Sequence, residues 1–275
     1  MKYVLFTLFF LFLTFFNKSE TFEPKPKKHY DVIIGINIHE KYNFVLKQLE
    51  NISKNVHCTY AVVLNCNELM YHAFKENTLP ENVYIHPTIL NKERFHGSLL
   101  EGIYNNMTYA LEYFTFHYYI VTSSRNLFEN DLHLDHLNKM VELDLLQNTI
   151  GEPWTKIMNE WHWPCAQHTL FTKYMIEHNK LFYKSAHEGL CFEMKDAILV
   201  VDFLKEHSSM RNELFHTYCP CEEFAIQTII KCQNGQFYDI GNGCCSNERN
   251  PTNNPEKGIY KFMYKTDREE FRNRS

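Results

Sequence analysis

The stretch DVIIGINIHEKYNFVLKQLENI, Asp31 to Ile52, decides how the first half of the chain folds. Asp31 to Ile38 is an apolar, β-branched run of strand length, and such side chains pack well on a pleated surface. Lys41 to Lys54 then carries Phe44, Val45, Leu49 and Ile52 at helical spacing. The alternation continues downstream. Thr59 to Leu64 predicts a second buried strand ending at polar Asn65, and Glu68 to Glu76 a short helix. Asn82 to His86 predicts a third strand, and Gly97 to Phe114 a long helix through Leu99, Leu100, Ile103, Met107 and Leu111. Tyr118 to Val121 predicts a fourth strand, broken at Thr122-Ser123-Ser124-Arg125-Asn126.

Strands alternating with helices imply an α/β fold whose central sheet is mostly parallel and flanked by helices. Ligands of such sheets bind beyond the carboxyl ends of the strands. That rule places His39, Asn65, Ser123, Ser124 and Arg125 on one edge as candidate nucleotide contacts, against ordinary loop polarity as the plain alternative for each. No Gly-rich phosphate loop of dinucleotide or P-loop type is present, so phosphate recognition has to rest on another arrangement.

The 275 residues are enough for one compact domain or two small ones. A net charge of −5 excludes the basic footprint of a nucleic-acid binder, and no internal repeat is present. Lys2 is followed by an apolar run, Tyr3 to Phe16, and by a Lys- and Pro-bearing linker to Lys28. The run suits a signal-peptide core better than a full membrane span, although no A-x-A cleavage pattern follows it. Residues 1–28 are therefore read as a cleaved signal or a short signal anchor, and 29–275 as the domain proper. Either reading puts the protein in the secretory pathway, lumenal and anchored or secreted, with the membrane met only through that segment. The sequons at Asn51, Asn106 and Asn273 agree with this route. So do nine cysteines, an odd number whose pairing the sequence leaves open.

Further along, CPCEEFAIQTII, Cys219 to Ile230, sets two adjacent carboxylates, Glu222 and Glu223, at the predicted start of a helix. Free backbone N–H groups and the helix dipole stabilise carboxylates there. Simple capping of the helix accounts for them equally well.

Together these segments resemble the nucleotide-sugar-binding half of a GT-A glycosyltransferase. In detail they resemble the core-2/I-branching β-1,6-N-acetylglucosaminyltransferase family and its peptide xylosyltransferase relatives. DVIIGINIHEKYNFVLKQLENI is similar to the family's first strand and helix, TYAVVLNCN to its second strand, and NVYIHP through YYIVTSSRNLF to the third and fourth. Asn65 stands where the family has Asp, and Ser123 to Phe128 replaces a turn ending in Asp-Phe-Pro. CPCEEFAIQT is similar to the family's Pro-Asp-Glu motif and its downstream Thr. The resemblance puts Glu223 on the general base, Glu222 on the Asp and Thr228 on the Thr.

What the resemblance implies is inverting, metal-independent transfer of GlcNAc or xylose from a UDP-sugar to a glycan or glycoprotein acceptor. The chain has no Asp-x-Asp, the motif with which most GT-A enzymes hold a metal. The family neutralises the leaving diphosphate with C-terminal basic side chains instead; here Arg249, Lys257, Lys261, Lys265 and Arg268 are available, Arg249 and Lys261 being the favoured pair. Glu223 would deprotonate the acceptor hydroxyl, while Glu188, Glu222 and Trp163 are candidates for holding the acceptor. The expectation is a UDP-sugar donor with no cofactor and no metal.

Three other readings compete. Asp131-Leu-His133-Leu-Asp135 offers two carboxylates and an imidazole for a divalent metal, or marks a loop-to-helix boundary. His162, Cys165 and His168 have ligand-like spacing for zinc but no visible fourth ligand. The rival from another class is a secreted, non-catalytic glycan-binding protein on a degenerate transferase fold.

Overall fold

The computed structural model describes residues 26–142, 151–153, 163–184, 187–242 and 262–265. Four strands, β1 (Lys28–Asn37), β2 (Tyr60–Asn65), β3 (Val83–Ile85) and β4 (Phe114–Ser123), run parallel in the order β3-β2-β1-β4. After β5 (Asn126–Phe128) the sheet is extended by β6 (Leu190–Glu193), antiparallel to β4, and by β7 (Tyr238–Asp239), antiparallel to β6. β5 joins β8 (Gly241–Asn242) and β9 (Met263–Lys265) in a separate small sheet of order β5-β9-β8.

The helices are α1 (Tyr42–Asn55), α2 (Glu68–Lys75), α3 (Ser98–Tyr113), α4 (Leu134–Glu142), α5 (Leu170–Glu177), α6 (Met194–Glu206), α7 (Ser208–His216) and α8 (Ala225–Cys232). Alternate residues of the parallel strands enter two cores, one on each face. Val32, Ile34, Ile36, Val62 and Ile120 meet Val45, Leu49 and Ile52 of α1 and Phe74 of α2. Ile33, Ala61, Val63, Tyr119 and Val121 meet Ile103 and Met107 of α3, Val200 of α6 and Ile226 of α8. Gly35 completes this second face: a Cβ there would lie 2.0 Å from the Tyr119 hydroxyl, so the ring can lie across β1 only because position 35 has no side chain.

The expected α/β class and the parallel alternation are present. Two strand starts differ by three residues or more. β1 begins at Lys28 rather than Asp31, and β4 at Phe114 rather than Tyr118. Phe114 is at once the C-cap of α3 and the first residue of β4, so no loop separates helix from strand. The signal was there: Phe114 and Phe116 are buried while His117 is exposed, a period of two hidden behind a helical run. The larger correction concerns Cys219 to Ile230. Cys221–Glu223 form a single 3₁₀ turn, Phe224 is the N-cap of α8, and no side chain caps that end. The two glutamates precede the helix instead of opening it.

The sequons also change meaning. Asn106 is buried on α3, its Nδ2 donating to the Ile36 carbonyl at 3.2 Å. Asn51 exchanges two bonds with the Phe128 backbone, at 2.9 and 2.7 Å, and so fastens β5 to α1. Both amides take part in the packing, and the burial of Asn106 leaves no room for a glycan there in this fold. Asn273 lies outside the described residues. Cys58, Cys66, Cys191, Cys219, Cys221 and Cys232 are free thiols, and Cys244 and Cys245 are outside the described part. Among the described residues no helix is long and apolar enough to cross a membrane; Tyr3 to Phe16 is not among them.

Candidate functional site

The parallel strands end in register. Asn37 of β1 pairs with Asn65 of β2 on one side and with Ser123 of β4 on the other. Alternation puts all three on the α3 face, with Ile33, Val63 and Val121 below them in the core. They form a polar row at the carboxyl edge, all three buried. Asn37 Nδ2 donates to the Leu99 carbonyl at 2.7 Å, which pins the start of α3 over β1. Among the described residues the Oδ1 atoms of Asn37, Asn65 and Asn106 accept no hydrogen bond. A buried acceptor without a donor costs about 1–3 kcal/mol, so these amides are held here at the expense of stability.

A cation stands beside the row. Lys92 Nζ donates to the carbonyls of Asn65 at 2.9 Å, Leu90 at 3.3 Å and Ile38 at 3.5 Å. Among the described residues no carboxylate forms an ion pair with it. Burial pushes its pKa down to about 8. Gly102 makes room for this arrangement, since a Cβ there would be 2.4 Å from Asn37 Oδ1 and 2.8 Å from Lys92 Cε. Nearby, burial pushes Glu101 up, against the opposing pull of His216, His96, Lys92 and Arg211. Lys92, His96, Arg211 and His216 thus place positive charge around Glu101 at the start of α3.

The turn after β4 is built by its own polar atoms. Asn126 Oδ1 accepts from Ser123 N at 2.8 Å and from Ser123 Oγ at 2.9 Å. Ser124 Oγ accepts the N–H groups of His39 and Glu40, both at 3.2 Å. Gln48 Nε2 reaches the carbonyls of Ser123 and Asn126 at 2.8 and 2.9 Å. Arg125 Nε lies 3.9 Å from Glu40 Oε1, and His39 is exposed just beyond β1. β9 pairs Lys265 with Asn126, which returns the C-terminal segment to this turn. Arg249, Lys257, Lys261 and Arg268 lie outside the described residues.

Two carboxylate-bearing loops complete the surroundings. Gly189, at φ 95°, donates to the Val121 carbonyl at 2.8 Å, so Glu188 sits next to the end of β4. Glu188 is buried with its Oε2 3.5 Å from His187 Nδ1. The Cys221–Glu223 turn packs on α3 and α8, with Glu222 buried and Glu223 half-exposed. Thr228 of α8 is spent on the Tyr183 backbone, accepting from its N at 3.1 Å and donating to its carbonyl at 3.3 Å. Upstream of Glu222, the Cys219 thiol is hydrogen-bonded with those of Cys221 and Cys165, and it is pushed up first by the Cys221 hydrogen bond and then by burial. Thiols so protonated are not nucleophiles.

Of the residues expected from sequence, His39, Asn65, Ser123, Ser124, Arg125 and Glu188 come together at the carboxyl edge. Glu222 and Glu223 stand on a turn packed against α3. Trp163 begins a 3₁₀ helix to His168, its side chain outside the described part. Asn37, Lys92 and Gly102 were missed. Asn37 was hidden inside the apolar run read as far as Ile38; Lys92 lies in a loop without pattern, and only folding brings it under the strand ends. The metal reading of Asp131, His133 and Asp135 changes membership, for the atoms that converge are those of His57, Asp131 and His133. Of the His162, Cys165 and His168 group, His162 is outside the described residues, and among the described residues no metal-holding cluster includes the other two. No protein-family model matches the chain, and no curated protein matches it.

Proposed function

We propose that the protein is an inverting glycosyltransferase that moves a sugar from a UDP-sugar to a glycan or glycoprotein acceptor without a metal. The observation that carries the proposal is the carboxyl edge itself: the buried amides of Asn65 and Asn37, in register with Ser123, with the cation Lys92 beside them. The strand order, four parallel strands followed by an antiparallel one, is compatible with the nucleotide-sugar-binding fold that the sequence resembles. In this reading the amide row accepts donor groups of the nucleotide. Lys92 and Arg125 answer the charge that develops on the departing diphosphate. Glu223 takes the proton from the acceptor hydroxyl as it attacks the anomeric carbon from the opposite face, and Glu188 holds the acceptor. A carboxylate is a weak base at its ordinary pKa, so much of the rate comes from holding the reactants in line.

Calorimetric titration of the full chain with UDP tests this donor site. Binding that weakens at least about tenfold in Lys92→Met is expected, roughly the 1.4 kcal/mol of one lost charged contact. Absence of UDP binding by folded protein, or equal affinity in wild type and variant, contradicts the assignment. The commitment of both Ser123 and Ser124 hydroxyls to the turn favours one rival, a glycan-binding protein. Glycan binding without UDP binding would identify it.

A further inference from the structure

At the amino end of the sheet, opposite the candidate site, His29, Asp31 and His117 each offer a ligand atom, and these atoms lie within 4.8 Å of one another. His29 and Asp31 belong to β1 and His117 to its neighbour β4, where Tyr30 faces Phe116 and Val32 faces Tyr118. Alternation breaks in both strands at the same level. Tyr30 and Ile33 enter one core with Val32 in the other; Phe116 and Tyr119 enter the first with Tyr118 in the second. The supernumerary residues are Asp31 and His117. The N–H groups of Asp31 and Val32 both donate to the Thr59 carbonyl, at 2.8 and 3.1 Å, as at a β-bulge. Bulges re-aim side chains next to sites, and here two stand side by side.

The side chains are also held from behind. Asp31 Oδ2 accepts the Thr59 N–H at 2.9 Å and its hydroxyl at 2.6 Å, which leaves Oδ1 for a further partner. His29 Nδ1 is 3.0 Å from Thr115 Oγ1, which leaves Nε2. The two imidazoles meet edge to face with centroids 5.0 Å apart. Metal-binding imidazoles and carboxylates are oriented by such outer partners. Two imidazoles and a carboxylate suit zinc and neighbouring divalent metals. With zinc-to-ligand distances of about 2.1 Å, tetrahedral ligand atoms are about 3.4 Å apart. Closing the set from 4.8 Å to that spacing asks for movement chiefly of the exposed His117, since His29 and Asp31 are already held. The His57, Asp131 and His133 cluster is less prepared: all three are exposed, and His57 Nε2 already meets Asp131 Oδ1 at 3.1 Å.

We propose that His29, Asp31 and His117 bind a divalent transition-metal ion that ties β1 to β4 at the amino edge, remote from the sugar-transfer site. The test is zinc titration of the full chain, stripped with chelator and dialysed, against a chromogenic competitor. Far-UV circular dichroism of every variant confirms the fold. One site is expected that is lost or weakened at least about tenfold in His117→Ala and in His29→Ala, and weakened about 10- to 100-fold in Thr59→Val. His57→Ala should titrate as wild type, and zinc should raise the Tm of wild type but not of His117→Ala. The proposal is overturned if wild type binds no zinc, if His29→Ala and His117→Ala titrate like wild type, or if only His57→Ala loses the site.

Discussion

Lys92 Nζ donates to the carbonyl of Asn65 at 2.9 Å, so a buried ammonium group is fastened to the last residue of β2 by a neutral partner. A lysine held this way is displaced in pKa by burial, to about 8. The unfolded chain takes up the same proton near pH 10.4, so between about pH 8 and 10.4 the unfolded state holds more protons. Stability contributed at this position therefore rises with pH across that window, by on the order of 3 kcal/mol in total. Urea unfolding of wild type and Lys92→Met at pH 7.5 and 10 checks the sign: the gap between them should move in favour of wild type at the higher pH.

Gly102 is the second test of the carboxyl edge. A methyl group there meets Asn37 Oδ1, which the Leu99 carbonyl holds in place, and the more flexible Lys92 stem. Gly102→Ala should cost about 1–3 kcal/mol of stability and displace the amide row. UDP affinity is expected to fall at least tenfold in protein that remains folded.

Tyr119 carries a hydroxyl that is fully buried and, among the described residues, accepts and donates nothing. Burial pushes that phenol far above its ordinary pKa, so it stays neutral. Tyr119→Phe removes an unsatisfied polar atom and should raise stability by about 1 kcal/mol. Gly35→Ala should lower it by about 3 kcal/mol or more, because the new Cβ meets the ring of a side chain with no room to withdraw. Thermal melts of the two single variants in parallel read both effects.

Asn106 predicts a negative result. Protein passed through a secretory host should carry no glycan at that position, by mass spectrometry of tryptic peptides. Occupancy at Asn106 would contradict its burial against β1.

The parallel half of the fold was legible because its strands are continuous β-branched runs and its helices strongly periodic. The end of β2 at Asn65 followed from the first polar residue after its run, whereas Asn37 was hidden inside the apolar run read as far as Ile38. The second half was not legible in this way. β6 has four residues and β7 and β8 two each, too short for a period to show. The glutamate turn was misplaced because Pro220 and the apolar residues after it imitate a helix start, while Phe224 breaks the backbone at φ −139° before α8 begins. Lys92 had no local signal at all. Its importance comes from three carbonyls that only tertiary structure assembles.

The decisive measurement is release of UDP by the full chain from a panel of UDP-sugars, with and without chelator. Turnover of one donor is expected to survive chelation and to fall at least about a hundredfold in folded Glu223→Gln, the scale of a lost general base. Equal turnover in wild type and Glu223→Gln, or no turnover of any donor by folded protein, would contradict the proposed transfer.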